Sequence, residues 1–117
     1  MEVVAITFES ELSLEDIETR FRERAHHFRD MDGLLQKFYV HDEGSGRVGG
    51  IYVFDSEESR DALFESEIHA KLRDGSDVSN LDSTSFRVVI HLSEVKPQPE
   101  DTVAVVKRLY ESFAAGD

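Results

Sequence analysis

Residues 47–55 read RVGGIYVFD, and this run constrains the chain more than any other stretch. Val48, Ile51, Tyr52, Val53 and Phe54 stand almost without charge, the composition of a strand covered on both faces. Residues 42–46 (DEGSG) precede the run as a turn, and residues 34–40 (LLQKFYV) precede that as another strand, so the two form a hairpin. A chain of 117 residues has room for one domain with a modest core and a short appendage.

The remaining elements fall in order around the hairpin. Residues 3–8 (VVAITF) form a first strand. Ser13 with Asp16 makes a capping box, after which Leu14, Ile17, Phe21, Ala25 and Phe28 recur at helical spacing, predicting one helix over residues 14–28. Asp55 or Ser56 caps a second helix, with Glu57 and Glu58 in its first turn and Ala62, Leu63, Ile68 and Leu72 on its apolar stripe, ending near Arg73. Residues 74–85 (DGSDVSNLDSTS) read as a surface loop, and residues 86–95 (FRVVIHLSEV) as the fourth strand. Pro97 and Pro99 then start a linker, and Val103, Val106, Leu109, Tyr110 and Phe113 mark a C-terminal helix. The expected organisation is a domain over residues 1–96, followed by linker and helix over residues 97–117.

The order β-α-β-β-α-β is that of a ferredoxin-like α+β fold, a four-stranded antiparallel sheet with both helices on one face. Helices on one face leave the other exposed, yet Val3, Val4, Ala5 and Ile6 put apolar groups on both faces, as do residues 51–54 and 88–90. A second copy packing sheet against sheet is the simplest cover, which predicts a homodimer.

The 25 Asp+Glu against 13 Lys+Arg give a net charge of -12, which repels phosphate backbones and anionic lipid and argues against nucleic acid or a membrane as partner. With no cysteine, disulfides, thiolate nucleophiles and Cys-ligated metals are excluded, and no metal-spaced His/Glu cluster stands out. No apolar run approaches the roughly 20 residues that span a bilayer, and the acidic N-terminus lacks a signal peptide's basic region, so a cytoplasmic protein is expected.

The GGIYVF run at residues 49–54, the helix after it, and DMDGLLQKFYV at residues 30–40 resemble the YdhR-type monooxygenases of the dimeric α+β barrel superfamily. The resemblance covers most of residues 1–96. It implies a cofactor-free monooxygenase acting on a small aromatic or polyketide-like compound. The superfamily also holds non-catalytic ligand-binding modules, so a binding or accessory dimerisation domain is the alternative. Phe38 stands where the family usually has Trp, and the chain has no Trp. Haem-degrading members pair such a Trp with a helix-borne His, so the absence argues against haem degradation although His69 is available. TVAVVKRLYESFAAGD at residues 102–117 is similar to the opening helix of SnoaL-like or NTF2-like domains. Two alternatives follow, a barrel domain cut from a longer fusion or a helix packed across the barrel.

Cofactor-free oxygenation of a phenol or quinol needs a base to form the substrate anion and polar groups to hold it in an apolar pocket. Tyr39, His41, Tyr52, His69 and His91 are the titratable groups available between sheet and helices. Alternation puts Tyr39 with His41 on one face, and Tyr52 with Phe54 on one face of the next strand. His69, Tyr52 and Tyr39 are the catalytic candidates, and Phe38, Phe54 and His91 the substrate-binding candidates. Each has a plainer reading: His69 as a helix-border histidine in solvent, and His91 as a hydrogen-bonded histidine at the dimer face. His26 and His27 point about 100° apart and suit a helix C-terminus better than a metal. Arg47 and Arg87 read as ion-pair partners of the abundant carboxylates rather than substrate anchors. Gly49 and Gly50 are followed by a strand, which excludes a phosphate loop and suggests a bulge or the close approach of a partner's backbone.

Overall fold

The computed structural model describes residues 1–92 together with Lys107, Arg108, Tyr110 and Glu111. Strand β1 (Glu2–Glu9) alternates Val4, Ile6 and Phe8 inward, each nearly sealed, with half-buried Val3, Ala5 and Thr7 outward. Helix α1 (Leu14–Arg24) follows, its Ser13 cap accepting the Asp16 N–H at 3.1 Å. After the short α2 (His26–Arg29) the chain enters β2 (Leu34–His41), turns, and returns as β3 (Val48–Phe54). Helices α3 (Glu57–Glu65) and α4 (Glu67–Arg73) precede β4 (Ser79–Arg87).

The four strands form one antiparallel sheet in the order β2-β3-β1-β4, the expected ferredoxin-like α+β arrangement. The two most apolar strands, β1 and β3, occupy the centre, where both edges are paired and one face lies under the helices. Val4, Ile6, Tyr52, Phe54 and Leu63 make the main core cluster under the helices, with Phe28, Leu34 and Phe64 packed against it. Glu2 pins the end of this layer: its sealed carboxylate takes Arg60 Nη1 and Arg87 Nε at 3.3 Å each, tying α3 and β4 to β1. The opposite sheet face carries Val3, Ala5, Ile51, Val53, Phe38 and Phe86 in register across four strands, with Phe38 and Phe86 more than half exposed.

Three expectations are corrected. The single helix over residues 14–28 is broken at Ala25, where the Ala25 and Phe28 N–H groups bond to Arg22 and Ala25 oxygens three residues back, a tightened turn that apolar spacing does not register. The second helix breaks at Ser66, whose extended backbone (ψ 156) ends α3; its hydroxyl donates to Leu63 O at 2.6 Å and accepts the His69 N–H at 3.2 Å, capping α4. The fourth strand is Ser79–Arg87: its residues 79–85 fall in the expected loop, and of the expected strand's described residues, 86–92, only Phe86 and Arg87 belong to it. As an edge strand it needs only backbone pairing to β1, and polar side chains suit that position. Val89, Ile90 and Leu92 lie beyond it, each more than three-quarters exposed.

The expected linker at Pro97 and Pro99, the residues 93–95 assigned to the fourth strand, and Val103, Val106, Leu109 and Phe113 lie outside the described residues; Lys107, Arg108, Tyr110 and Glu111 are helical. Among the described residues no helix is long and apolar enough to cross a membrane.

Candidate functional site

A cavity of about 440 Å³ opens between the helical layer and the β1–β3–β2 half of the sheet. Gly50 makes the space in its floor: a Cβ there would stand 3.1 Å from Tyr52 Cε2 and 3.3 Å from Lys37 Cε. Neighbouring Gly49 serves packing within the chain, since a Cβ there would fall 1.9 Å from Ile6 O, so the approaching backbone is that of β1 rather than a partner's.

Strand pairing sets Lys37 opposite Tyr52 and Tyr39 opposite Gly50, so Lys37, Tyr39 and Tyr52 share the face that looks into the cavity. Phe21 stacks on Tyr39 at 4.5 Å between ring centroids, and Phe28 meets Tyr52 at 5.8 Å, so the first helical segments supply an aromatic wall. The break at Ser66 sets the course of α4, on which His69 enters the opposite wall, buried and edge-on to Phe64 at 5.1 Å. Arg24, His27, Glu67 and Lys71 stand exposed at the mouth.

The three catalytic candidates, His69, Tyr52 and Tyr39, thus line one cavity. The other three candidates sit elsewhere. Phe38 pairs with Ile51 on the open sheet face, because it neighbours Tyr39 in a strand and alternation sends it the other way. Phe54 is sealed in the core beyond the cavity, and His91 is exposed past the end of β4, since that strand closes at Arg87. His41 shares the Tyr39 face but is exposed at the hairpin end, and Arg47 is consumed by Thr7, Asn80, Glu9 and Asp82.

Lys37 was not among the expected site residues. Its Nζ lies 3.0 Å from the Phe28 ring centroid, 4.4 Å from Tyr39 and 4.6 Å from Tyr52. Burial lowers its pKa from the ordinary 10.5 to about 7. The signal in the sequence was a lysine in phase with a tyrosine inside an otherwise apolar strand.

Burial also sets the other ionisations. The phenol of Tyr52 is pushed well up by burial and by Tyr39, and that of Tyr39 is raised by burial against an opposing pull from Arg29. Both stay protonated hydrogen-bond donors at neutral pH. The His69 imidazole is lowered by burial and by Arg73, so it is neutral, and both ring nitrogens are buried without a partner among the described residues. The His69 ring lines the cavity, and a neutral imidazole can take a proton from a hydroxyl placed beside it. Among the described residues no three His, Asp or Glu side chains cluster as a metal site.

The family described as "Putative mono-oxygenase ydhR" matches residues 3–99. Solved structures share the fold at low identity. The heme-degrader MhuD of Mycobacterium tuberculosis, with two hemes bound in its active site, matches with a TM-score of 0.62 and 24% identity over 78% of this chain and 99% of that one. A mutant form of SnoaB, a cofactor-independent oxygenase from Streptomyces nogalater, matches at 0.61 and 15% over 80% and 98%. An antibiotic biosynthesis monooxygenase matches at 0.61 and 16% over 77% and 100%. No curated protein sequence matches the chain.

Proposed function

The chain belongs to the family described as "Putative mono-oxygenase ydhR", and from that premise we propose that its cavity oxygenates a small aromatic or polyketide-like hydroxy compound without a resident cofactor. The observation that carries this reading is His69, whose two buried nitrogens have no partner among the described residues and which lines the same cavity as Tyr39 and Tyr52. A buried polar group without a partner is costly, and a substrate hydroxyl would complete it.

On this reading His69 takes the proton of a phenol or quinol, and the Tyr39 and Tyr52 phenols hold the resulting anion by hydrogen bonds. The electron-rich anion reduces dioxygen itself. One oxygen atom enters the ring and the other leaves as water, with the substrate supplying all four electrons, so a quinol leaves as a hydroxyquinone. The aromatic wall of Phe21 and Phe28 excludes water from the anion.

The homodimer is part of the same proposal. Val3, Ala5, Ile51, Val53, Phe38 and Phe86 form an apolar patch bordered by Gln36 and Thr84, and a second copy covers it sheet against sheet. Within the domain over residues 1–96, the alternative of a binding or accessory module, whether or not fused to a SnoaL-like domain, predicts ligand uptake without oxygen consumption.

An oxygen electrode with a panel of naphthols, quinols and anthrones tests the proposal. The expected result is oxygen uptake by the wild type and none by His69→Ala with its fold intact. Uptake unchanged in that variant removes His69 from the chemistry.

A further inference from the structure

We propose that the compound this cavity receives is an aromatic carboxylate, its carboxylate seated against Lys37. The inference deepens the reading of the cavity as an oxygenation site and rests on it for the fate of the ligand. Over the whole chain carboxylates outnumber cations by 25 to 13. Among the described residues around the cavity the balance inverts: Arg24, Lys37 and Lys71 face it, with the two histidines His27 and His69, against the single carboxylate of Glu67. On a chain of net charge -12, a cationic opening concentrates anions at its mouth relative to the acidic surface around it.

Lys37 gives the anion its seat. Its ammonium lies over three aromatic rings and makes no ion pair among the described residues. Ring faces attract a cation but return less than the water it has lost, which is why burial holds the amine so readily deprotonated. A carboxylate entering the cavity supplies the missing counter-charge, and its aromatic body meets the ring wall of Phe21 and Tyr39. A neutral phenol leaves Lys37 buried without a counter-charge, and an aromatic amine adds a second cation beside it.

Calorimetric titration of the full chain under nitrogen, at neutral pH, with hydroxynaphthoate, naphthol and naphthylmethylamine tests this. Hydroxynaphthoate is expected to bind at least about tenfold more tightly than naphthol, with the amine weakest. Lys37→Met should remove that preference while leaving naphthol affinity within about twofold, and Lys71→Met should weaken hydroxynaphthoate by about threefold. Equal affinities for the acid and the phenol, a preference that survives Lys37→Met, or no binding of hydroxynaphthoate at about 1 mM would each overturn the inference. Binding is read without turnover, so an anion preference without oxygen consumption supports this inference and sinks only the oxygenase reading.

Discussion

The Lys37 ammonium sits 3.0 Å from the centroid of the Phe28 ring, a contact that joins the inner edge of β2 to α2 and closes one side of the cavity. A cation in this position is a compromise. The ring faces contribute about 0.5–2 kcal/mol, while removing an ammonium from water without an ion-pair partner costs several times that. The chain therefore holds a charge in its site that would be better placed in solvent.

This has a direct consequence for stability. The pKa of Lys37 falls from 10.5 in the unfolded chain to about 7 in the folded one, so between those values the unfolded chain holds a proton that the folded chain has released. Stability from this group rises with pH across that window, and the cost of burying the charge is fully present below about pH 7. Lys37→Met should stabilise the protein at about pH 6 by on the order of 1 kcal/mol or more and lose that advantage towards about pH 10. Urea unfolding of both proteins at the two pH values measures it.

His69 should separate stability from activity in the opposite sense to a packing residue. Its ring is buried with two unpartnered nitrogens, so His69→Leu should raise stability by ~1 kcal/mol while turnover disappears. Because burial lowers its pKa, the free base persists through neutral pH, and the acid limb of the rate profile should lie below about pH 6.5. A thermal melt and a pH–rate profile report the two halves.

Adjacent glycines should respond differently. Gly50→Ala places a methyl group where only Tyr52 and Lys37 side-chain atoms must give by a few tenths of an ångström, so the fold should survive with a smaller cavity and ligand affinity lowered about tenfold. Gly49→Ala drives a methyl into the Ile6 carbonyl at 1.9 Å and should cost about 3 kcal/mol or more, or prevent folding. Denaturant melts and ligand titration of the two variants make the comparison.

Ile51→Asp puts a carboxylate at the centre of the open apolar face, between Ala5 and Phe38. It should convert the proposed dimer to monomer, at a cost of several kcal/mol in association free energy. Sedimentation equilibrium reads the change; a wild type that is already monomeric would remove the proposed sheet-to-sheet dimer.

The central strands were legible because their sequences are apolar on both faces, which leaves little ambiguity in Val4, Ile6, Tyr52 and Phe54. The helix breaks were not. Apolar periodicity runs through Ala25 and past Ser66, and each break is made by a few hydrogen bonds that spacing does not encode. Reading β4 failed for the converse reason: Val88, Val89 and Ile90 look like a strand, whereas an edge strand is selected for backbone pairing and polarity, as in Asp82–Thr84–Ser85. In the site, alternation placed Tyr39 beside His41 and Tyr52 beside Phe54 correctly, but how deep each lies depends on helices packing above. Lys37 escaped notice because a lysine in a strand ordinarily signals solvent.

The most direct test of the account is turnover under isotopically labelled dioxygen, with the protein freed of metals and flavins and the product analysed by mass spectrometry. One labelled oxygen atom is expected in each product molecule and the other in water, at a rate that chelators leave unchanged and that His69→Ala abolishes. Product formed only after a metal, flavin or haem is added, or oxygen drawn from water instead of dioxygen, would contradict it.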